Sequence, residues 1–416
     1  MKPIRLLYVV EEPWPTYRAD IAALFGKYLP RHGIASDIVT DRHGDTQAEP
    51  ATWPGGAALL CGATPGPAKR HLVKLWHNAM TMLRCDRTRY DAIQVRDMPV
   101  TAAIGLVLAR CKRLPFFYWM SFPQSEGQIQ RARARGMRAG MRYWFPLMQG
   151  IVGQWLLYRL VLPHADHVFV QSDQMALDLA RRGIASARMT AVPMGVDLEL
   201  TQAQRIAASD DARLVHKQVL VYLGTLDRAR SIDMLFRMLA LVVAKAPAAV
   251  LVLAGDTEDA QHRIWLQAEA ARAGVAASVI WTGWQPAGAA LRYVRAAQVG
   301  LSPFPRGELL DSASPTKAIE YMALGIPVVV NDNPDQQQVV AAAACGLCVA
   351  LGADTFAAAV LTLLDDPVRR AQMGWAGQRY VTQHRGYDTI SQRLALSYRE
   401  IFERAPTSRQ RAGQHA

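Results

Sequence analysis

Cysteine is scarce in this chain. Five residues (Cys61, Cys85, Cys111, Cys345 and Cys348) are scattered over 416 positions. An odd, dispersed set argues against a disulfide-stapled secreted scaffold and suits a reducing compartment. Cys345 and Cys348 form a CxxC, but no second pair completes a zinc site. The motif runs into a strand-like segment rather than opening a helix, so thiol chemistry is not expected. No GxGxxG follows the first apolar segment, which removes the dinucleotide fingerprint. No DxD-like acidic motif stands out as a metal site, and none is expected. Residues 1–10 are too short an apolar run for a signal peptide, and Glu11 and Glu12 close it. The expected compartment is therefore the cytoplasm. Charged residues make up only 20% against 51% hydrophobic, the balance of a folded globular protein.

The length leaves room for two domains of ordinary size. A net charge of +12 points to an anionic partner: phosphorylated ligands, a membrane surface or nucleic acid. The basic residues are not interleaved with aromatics in a recognisable nucleic-acid module, so nucleic acid is not expected. Residues 4–10 read as an apolar strand, residues 16–31 as a helix ending at His32-Gly33, and residues 38–39 as the start of a second strand. That opening and the alternation after it indicate a doubly wound parallel sheet. Ligands of such sheets bind beyond the carboxyl ends of the strands. Asp97 and Ser121 stand at two such ends and, with Glu126, are candidates for an acceptor side.

Residues 131–162 combine Arg131, Arg133, Arg135, Arg138 and Arg142 with a nearly all-apolar, Trp-bearing segment. The pattern fits an interfacial helix on an anionic membrane surface. It equally fits a core helix preceded by a solvated basic one. The interruptions at Pro146, Gln149, Gln154 and Arg159 argue against spanning.

The second half restarts with a buried strand at residues 219–223. Gly224-Thr225-Leu226-Asp227-Arg228-Ala229-Arg230 follows, then a helix over residues 232–245. Arg228 and Arg230 before a helix suit a diphosphate clamp, since Arg offers a planar fork of donors; a solvated basic loop is the plainer alternative. The most informative stretch is residues 312–332. Ser314 is expected as an N-cap with Pro315 in the first helical position, Gly325 stops the helix, and Val328-Val329-Val330 form a buried strand. Lys317 sits in the first turn, where a cation opposes the helix dipole unless an anion lies in front. Glu320, three residues on, shares its face and is placed to accept hydrogen bonds from ribose hydroxyls. An ordinary surface helix with a scattered Lys and Glu is the alternative.

Pro315-Thr316-Lys317, then Glu320-Tyr321-Met322-Ala323, Gly325 and Pro327-Val328-Val329, resemble the donor-site motif of family 4 glycosyltransferases of the GT-B fold. Residues 168–172 and 191–197 resemble the same family. In that family the later Glu of a Glu-x7-Glu motif binds the ribose of a nucleotide sugar, and Glu320 matches it; the earlier Glu is Ser312 here. The resemblance implies an Arg and a Lys in the loop after the first strand of the second domain. Thr225 replaces the Arg and Arg230 aligns with the Lys. A His that the family often carries near Met120–Ser121 is absent.

The implied fold is α/β: two Rossmann-like doubly wound domains facing across a cleft. Residues 1–200 would bind the acceptor and 201–385 the nucleotide sugar. A helix over 386–404 would cross back, and 405–416 would form a disordered tail. The implied activity is transfer of a sugar from a UDP- or GDP-sugar to a lipid-linked or polysaccharide acceptor, retaining, without metal or other cofactor. Arg228, Arg230, Lys317 and Glu320 are the catalytic candidates. Gly224, Trp284, Ser314, Pro315 and Thr316 join Glu320 as donor-binding candidates. The alternatives are an inverting GT-B transferase, a sugar-nucleotide epimerase, or an inactive binding protein.

Overall fold

The computed structural model describes residues 3–16, 18–42, 53–62, 67–201 and 205–404; the expected tail at 405–416 lies outside them. The chain divides into two units, Met1–Pro193 with Ile390–Ala416, and Met194–Thr389.

The first unit is built on a seven-stranded sheet of β1 (Ile4–Val9), β2 (Ile34–Asp41), β3 (Ala58–Cys61), β4 (Ala92–Arg96), β5 (Phe116–Met120), β6 (His167–Val170) and β7 (Met189–Ala191). Its order is β3-β2-β1-β4-β5-β6-β7, and every pairing is parallel. The second unit holds β8 (Gln218–Leu223), β9 (Ala249–Ala254), β10 (Val279–Trp281), β11 (Val299–Ser302), β12 (Val328–Asn331) and β13 (Gly346–Val349), in the order β10-β9-β8-β11-β12-β13. All of these pairings are parallel too. Central strands such as β5 and β9 are buried along their whole length, because helices cover both faces of a parallel sheet and leave no solvated side. Strand order reverses between β1 and β4, and again between β8 and β11. At such a switch the loops leave in opposite directions and open a crevice at the strands' carboxyl ends.

Local details depart from the sequence expectations: the second strand begins at Ile34, directly after Gly33, rather than at residue 38. The first helix proper begins at Asp20 rather than residue 16 and ends at Tyr28, with a tight turn Leu29–His32 after it. The strand after the CxxC begins at Gly346 and contains Cys348. Ser314 is not the N-cap of the motif helix. That helix runs Thr316–Ala323 with Pro315 at the cap position and no side-chain capping bond. Ser314 is drawn instead into a buried polar node described below.

The motif helix is fixed to the sheet by Tyr321. Its buried hydroxyl accepts from the Leu223 amide at 2.7 Å and donates to the Leu301 carbonyl at 3.2 Å, joining the ends of β8 and β11. Gly300 makes room for the ring: a Cβ there would lie 2.3 Å from Tyr321 Cδ2. Tyr321→Phe keeps the ring but leaves the Leu223 amide unsatisfied. It should lower the free energy of unfolding by about 1–3 kcal/mol in chemical denaturation; an unchanged midpoint would mean that this tether does not hold the helix.

Candidate functional site

The carboxyl end of β8 turns at Gly224, which takes φ +113° and packs against Gly255 at the end of β9. A Cβ on Gly255 would fall 2.2 Å from the Gly224 carbonyl oxygen, so only glycine lets the two loops approach this closely. Lys317 comes over this turn from the first turn of the motif helix. Its Cε would lie 3.6 Å from a Cβ at Gly224, and its Nζ stands 5.1 Å from the centroid of the buried Tyr222 ring. Arg230 enters from the loop after β8 and stacks on Phe304, with the guanidinium carbon 4.1 Å from the ring centroid. Its Nη1 is buried without a hydrogen-bond partner.

Both cations are half-buried. Burial pushes the Lys317 ammonium down to about 7, and repulsion from Arg230 adds to the effect; Glu320 and Asp227 pull weakly the other way. Burial also lowers Arg230. Glu320, on the same helix face, is half-buried, and its carboxyl is raised by burial against the opposing pull of Lys317. Among the described residues, no carboxylate forms an ion pair with Lys317 or Arg230, and the Glu320 side chain makes no hydrogen bond to protein. Two half-buried cations that make no ion pair, near the amino end of a helix, form an electropositive spot whose field favours an anion.

Three supports hold this recess. Asn331, at the end of β12, accepts from the Phe304 amide at 2.7 Å and donates to the Phe304 carbonyl at 2.9 Å, which fixes the ring under Arg230. Ser302 bonds Gln336 and steadies the same loop. Below the amino end of the motif helix, Arg385 donates to Asp335 at 2.6 Å, and Ser314 donates to the other Asp335 oxygen at 2.9 Å. The Met194 amide donates to Ser314 Oγ at 3.1 Å. All of these side chains are buried, and as a closed network they fix where the helix begins. Asn331, Asp335 and Arg385 escaped the sequence reading. The only signal was polar or charged residues at strand and helix boundaries, and their partners are distant in the chain.

The remaining donor-side candidates separate. Arg228 is exposed and turned toward Asp259, its ion-pair partner at 3.1 Å. Asp259 also caps the helix Ala260–Arg272. Trp284 follows β10 and is 56% exposed, so it is not a core residue. Pro315 is buried and Thr316 half-buried at the helix start. Ser312, in the position of the family's first acid, is buried and donates to the Glu308 carbonyl at 3.3 Å.

The sequence profile "Glycosyl transferases group 1" matches residues 217–366, and "Glycosyl transferase 4-like domain" matches residues 21–195. The chain belongs to the family 4-like GT-B glycosyltransferases. A curated member, the GDP-mannose-dependent alpha-(1-6)-phosphatidylinositol monomannoside mannosyltransferase of Mycolicibacterium smegmatis, is 30% identical over 221 residues. That match covers 50% of this chain and 56% of the relative, so it spans about half of the relative's length. Among solved structures, sucrose-phosphate synthase of Thermosynechococcus elongatus superposes with a TM-score of 0.71 at 20% identity, covering 97% of this chain and 100% of that one. Anabaena HepE in complex with UDP-glucose gives 0.67 at 15% identity, covering 95% and 100%. These two share the GT-B fold.

In the GT-B chain's first unit, the acceptor-side candidates are all engaged within the protein. Asp97 accepts from the Ser121 amide at 2.9 Å and from Ser121 Oγ at 2.5 Å. It is buried, with φ +54°, and burial raises its carboxyl to about 6 against the pull of Arg96 and Ser121. Arg96 beside it is fully buried and faces Asp20 at 2.7 Å, Glu12 at 3.2 Å and Asp97 at 3.7 Å. Glu126 accepts from Tyr158 at 2.6 Å and Arg182 at 3.2 Å and ties the helix Gln124–Arg135 to its neighbours.

The depressed Lys317 has a measurable consequence. An unfolded Lys holds its proton up to about 10.5, whereas the folded one releases it near 7. Between those values the unfolded chain binds more protons, so this group makes stability rise with pH. Lys317→Met should therefore raise the melting temperature at pH 6 and lose most of that gain by pH 10. A variant less stable than wild type at pH 6 would show that the cation is not under strain.

Proposed function

We propose that the chain transfers a glycosyl group from a UDP- or GDP-sugar to a lipid-linked or polysaccharide acceptor in the cytoplasm. The observation that carries this reading is the Arg230–Lys317 pair, which makes no ion pair among the described residues and stands near the Glu320 carboxylate, itself without a hydrogen bond to protein. The donor diphosphate supplies the missing negative charge, and Glu320 accepts hydrogen bonds from the ribose hydroxyls. The bond from the anomeric carbon to the diphosphate oxygen breaks, and a bond to the acceptor hydroxyl oxygen forms. The hydroxyl proton leaves with the nucleoside diphosphate. Negative charge grows on the departing diphosphate, and fixed cations at a helix amino end stabilise it without reorganisation. Two cations in that place supply the charge that a divalent ion would otherwise bring, and we assign a metal-independent, retaining transfer. Trp284, exposed beyond β10, is assigned to the base. The relative named for GDP-mannose puts that donor first among those to try.

The test is turnover of UDP- and GDP-sugars with and without lipid and glycan acceptors, followed by anomer analysis of the product. Glu320→Gln should lower kcat/KM by roughly 10- to 100-fold, the value of hydrogen bonds to a charged group, and leave the melting temperature nearly unchanged. Equal turnover by that variant would remove the ribose role; failure to turn over any nucleotide sugar would leave a binding protein.

A further inference from the structure

The helix Met141–Leu156 lies in the first unit and presents two unlike faces. Leu147, Gly150 and Gly153 are buried. The two glycines let it press against the helix Gln124–Arg135: a Cβ on Gly150 would meet Ile129 Cγ1 at 2.7 Å, and one on Gly153 would meet Ser125 Oγ at 2.7 Å. The opposite face carries Met141, Trp144, Phe145, Met148, Ile151, Val152 and Trp155, spaced three and four apart. They are between 45% and 74% exposed. Seven large apolar side chains in one exposed stripe are more than a soluble surface ordinarily tolerates, and such a patch marks an interaction face.

Charge decides what covers it. Arg131, Arg133, Arg135, Arg138 and Arg142 are all exposed, in the residues leading into the helix and in its first turn, and Arg159 is exposed just beyond its end. From Gly127 to Ala165 the sequence contains no Asp or Glu at all. A second copy of this chain would bring arginines against arginines with no acid to answer them, whereas lipid phosphates answer all of them. Among the described residues, no helix is long and apolar enough to cross a membrane. That leaves a helix lying in the plane of the interface, its apolar side among acyl chains and its basic flanks at the headgroups.

We propose that the stripe of Met141–Leu156, with its arginine flanks, docks this chain flat on an anionic lipid surface. Donor chemistry in the second unit plays no part in the argument. The two readings can fail separately, because lipid binding needs no nucleotide sugar.

The test is co-sedimentation of the full chain with phosphatidylcholine vesicles, with and without phosphatidylglycerol. Wild type should bind the anionic vesicles, and added salt should weaken the binding. The double variant Trp144→Glu/Trp155→Glu should lose binding by tenfold or more, on the order expected for removing two large apolar anchors. Arg138→Gln/Arg142→Gln should lose roughly fivefold per charge on anionic vesicles only. Trp375→Glu alters a tryptophan that is 64% exposed in the second unit and should change nothing. All the replaced side chains are exposed, so thermal melts should match wild type and keep the comparison readable. Equal binding by the stripe variant overturns the proposal, as does wild type that ignores anionic vesicles. So does a stripe substitution that turns a dimer into a monomer in sedimentation without changing lipid binding.

Discussion

Burial of two cations, Lys317 and Arg230, that make no ion pair among the described residues is the constraint on which the second unit's design turns. Among the described residues neither cation has a carboxylate at ion-pair distance; Asp227 acts on both and Glu320 on Lys317 only from further away, and each cation sits on an aromatic face. Such an arrangement persists only if its surroundings over-determine it. Tyr321 ties the motif helix across β8 and β11, and Asn331 fixes Phe304. Arg385, Asp335 and Ser314 lock the point where the helix starts. The strain is local, and packing elsewhere in the unit offsets it. That division of labour is common where a charged ligand must be met by a preformed field.

The first unit handles buried charge in the opposite way. Arg96 is more deeply buried than Lys317, yet it meets Asp20, Glu12 and Asp97 at salt-bridge distance. Its guanidinium is accordingly held well above the ordinary value even against burial, and Arg96 in turn keeps the Asp20 carboxyl below its own. A charge-paired cluster of this kind organises the ends of β1 and β4, whereas Lys317 and Arg230 in the second unit make no ion pair among the described residues. Two similar sheets thus carry two different electrostatic solutions at corresponding strand ends.

Much of the fold was legible. Apolar runs at β1, β5, β8, β9 and β12 are long enough and uniform enough to read as strands buried on both faces, and the helices between them require a parallel sheet. Lys317 and Glu320 were legible because helical spacing alone puts them on one face. Arg228 and Arg230 could not be told apart by the same means. Two residues apart in an irregular loop, they have no period to separate them, and only the fold sends one to Asp259 and the other to Phe304. Ser314 shows the limit from the other side. Its local chemistry favours a cap, but a buried carboxylate and guanidinium from 21 and 71 residues away compete for the hydroxyl and win.

Sequence by itself determined the class of the fold, the family, and the cation and acid that one helix turn must display, because periodicity and short-range spacing survive without knowledge of distant contacts. It also wrote out the basic and apolar residues of 131–162, but left open whether their apolar side faces the core or the solvent. Tertiary structure alone decided that Gly150 and Gly153 go inward, which turns Trp144 and Trp155 outward. It alone also decided that Arg230 and Lys317 converge while Asp97 and Ser121 close on each other. These outcomes depend on partners far apart in the chain, and a hydrogen bond or an ion pair between such residues leaves no trace in local order.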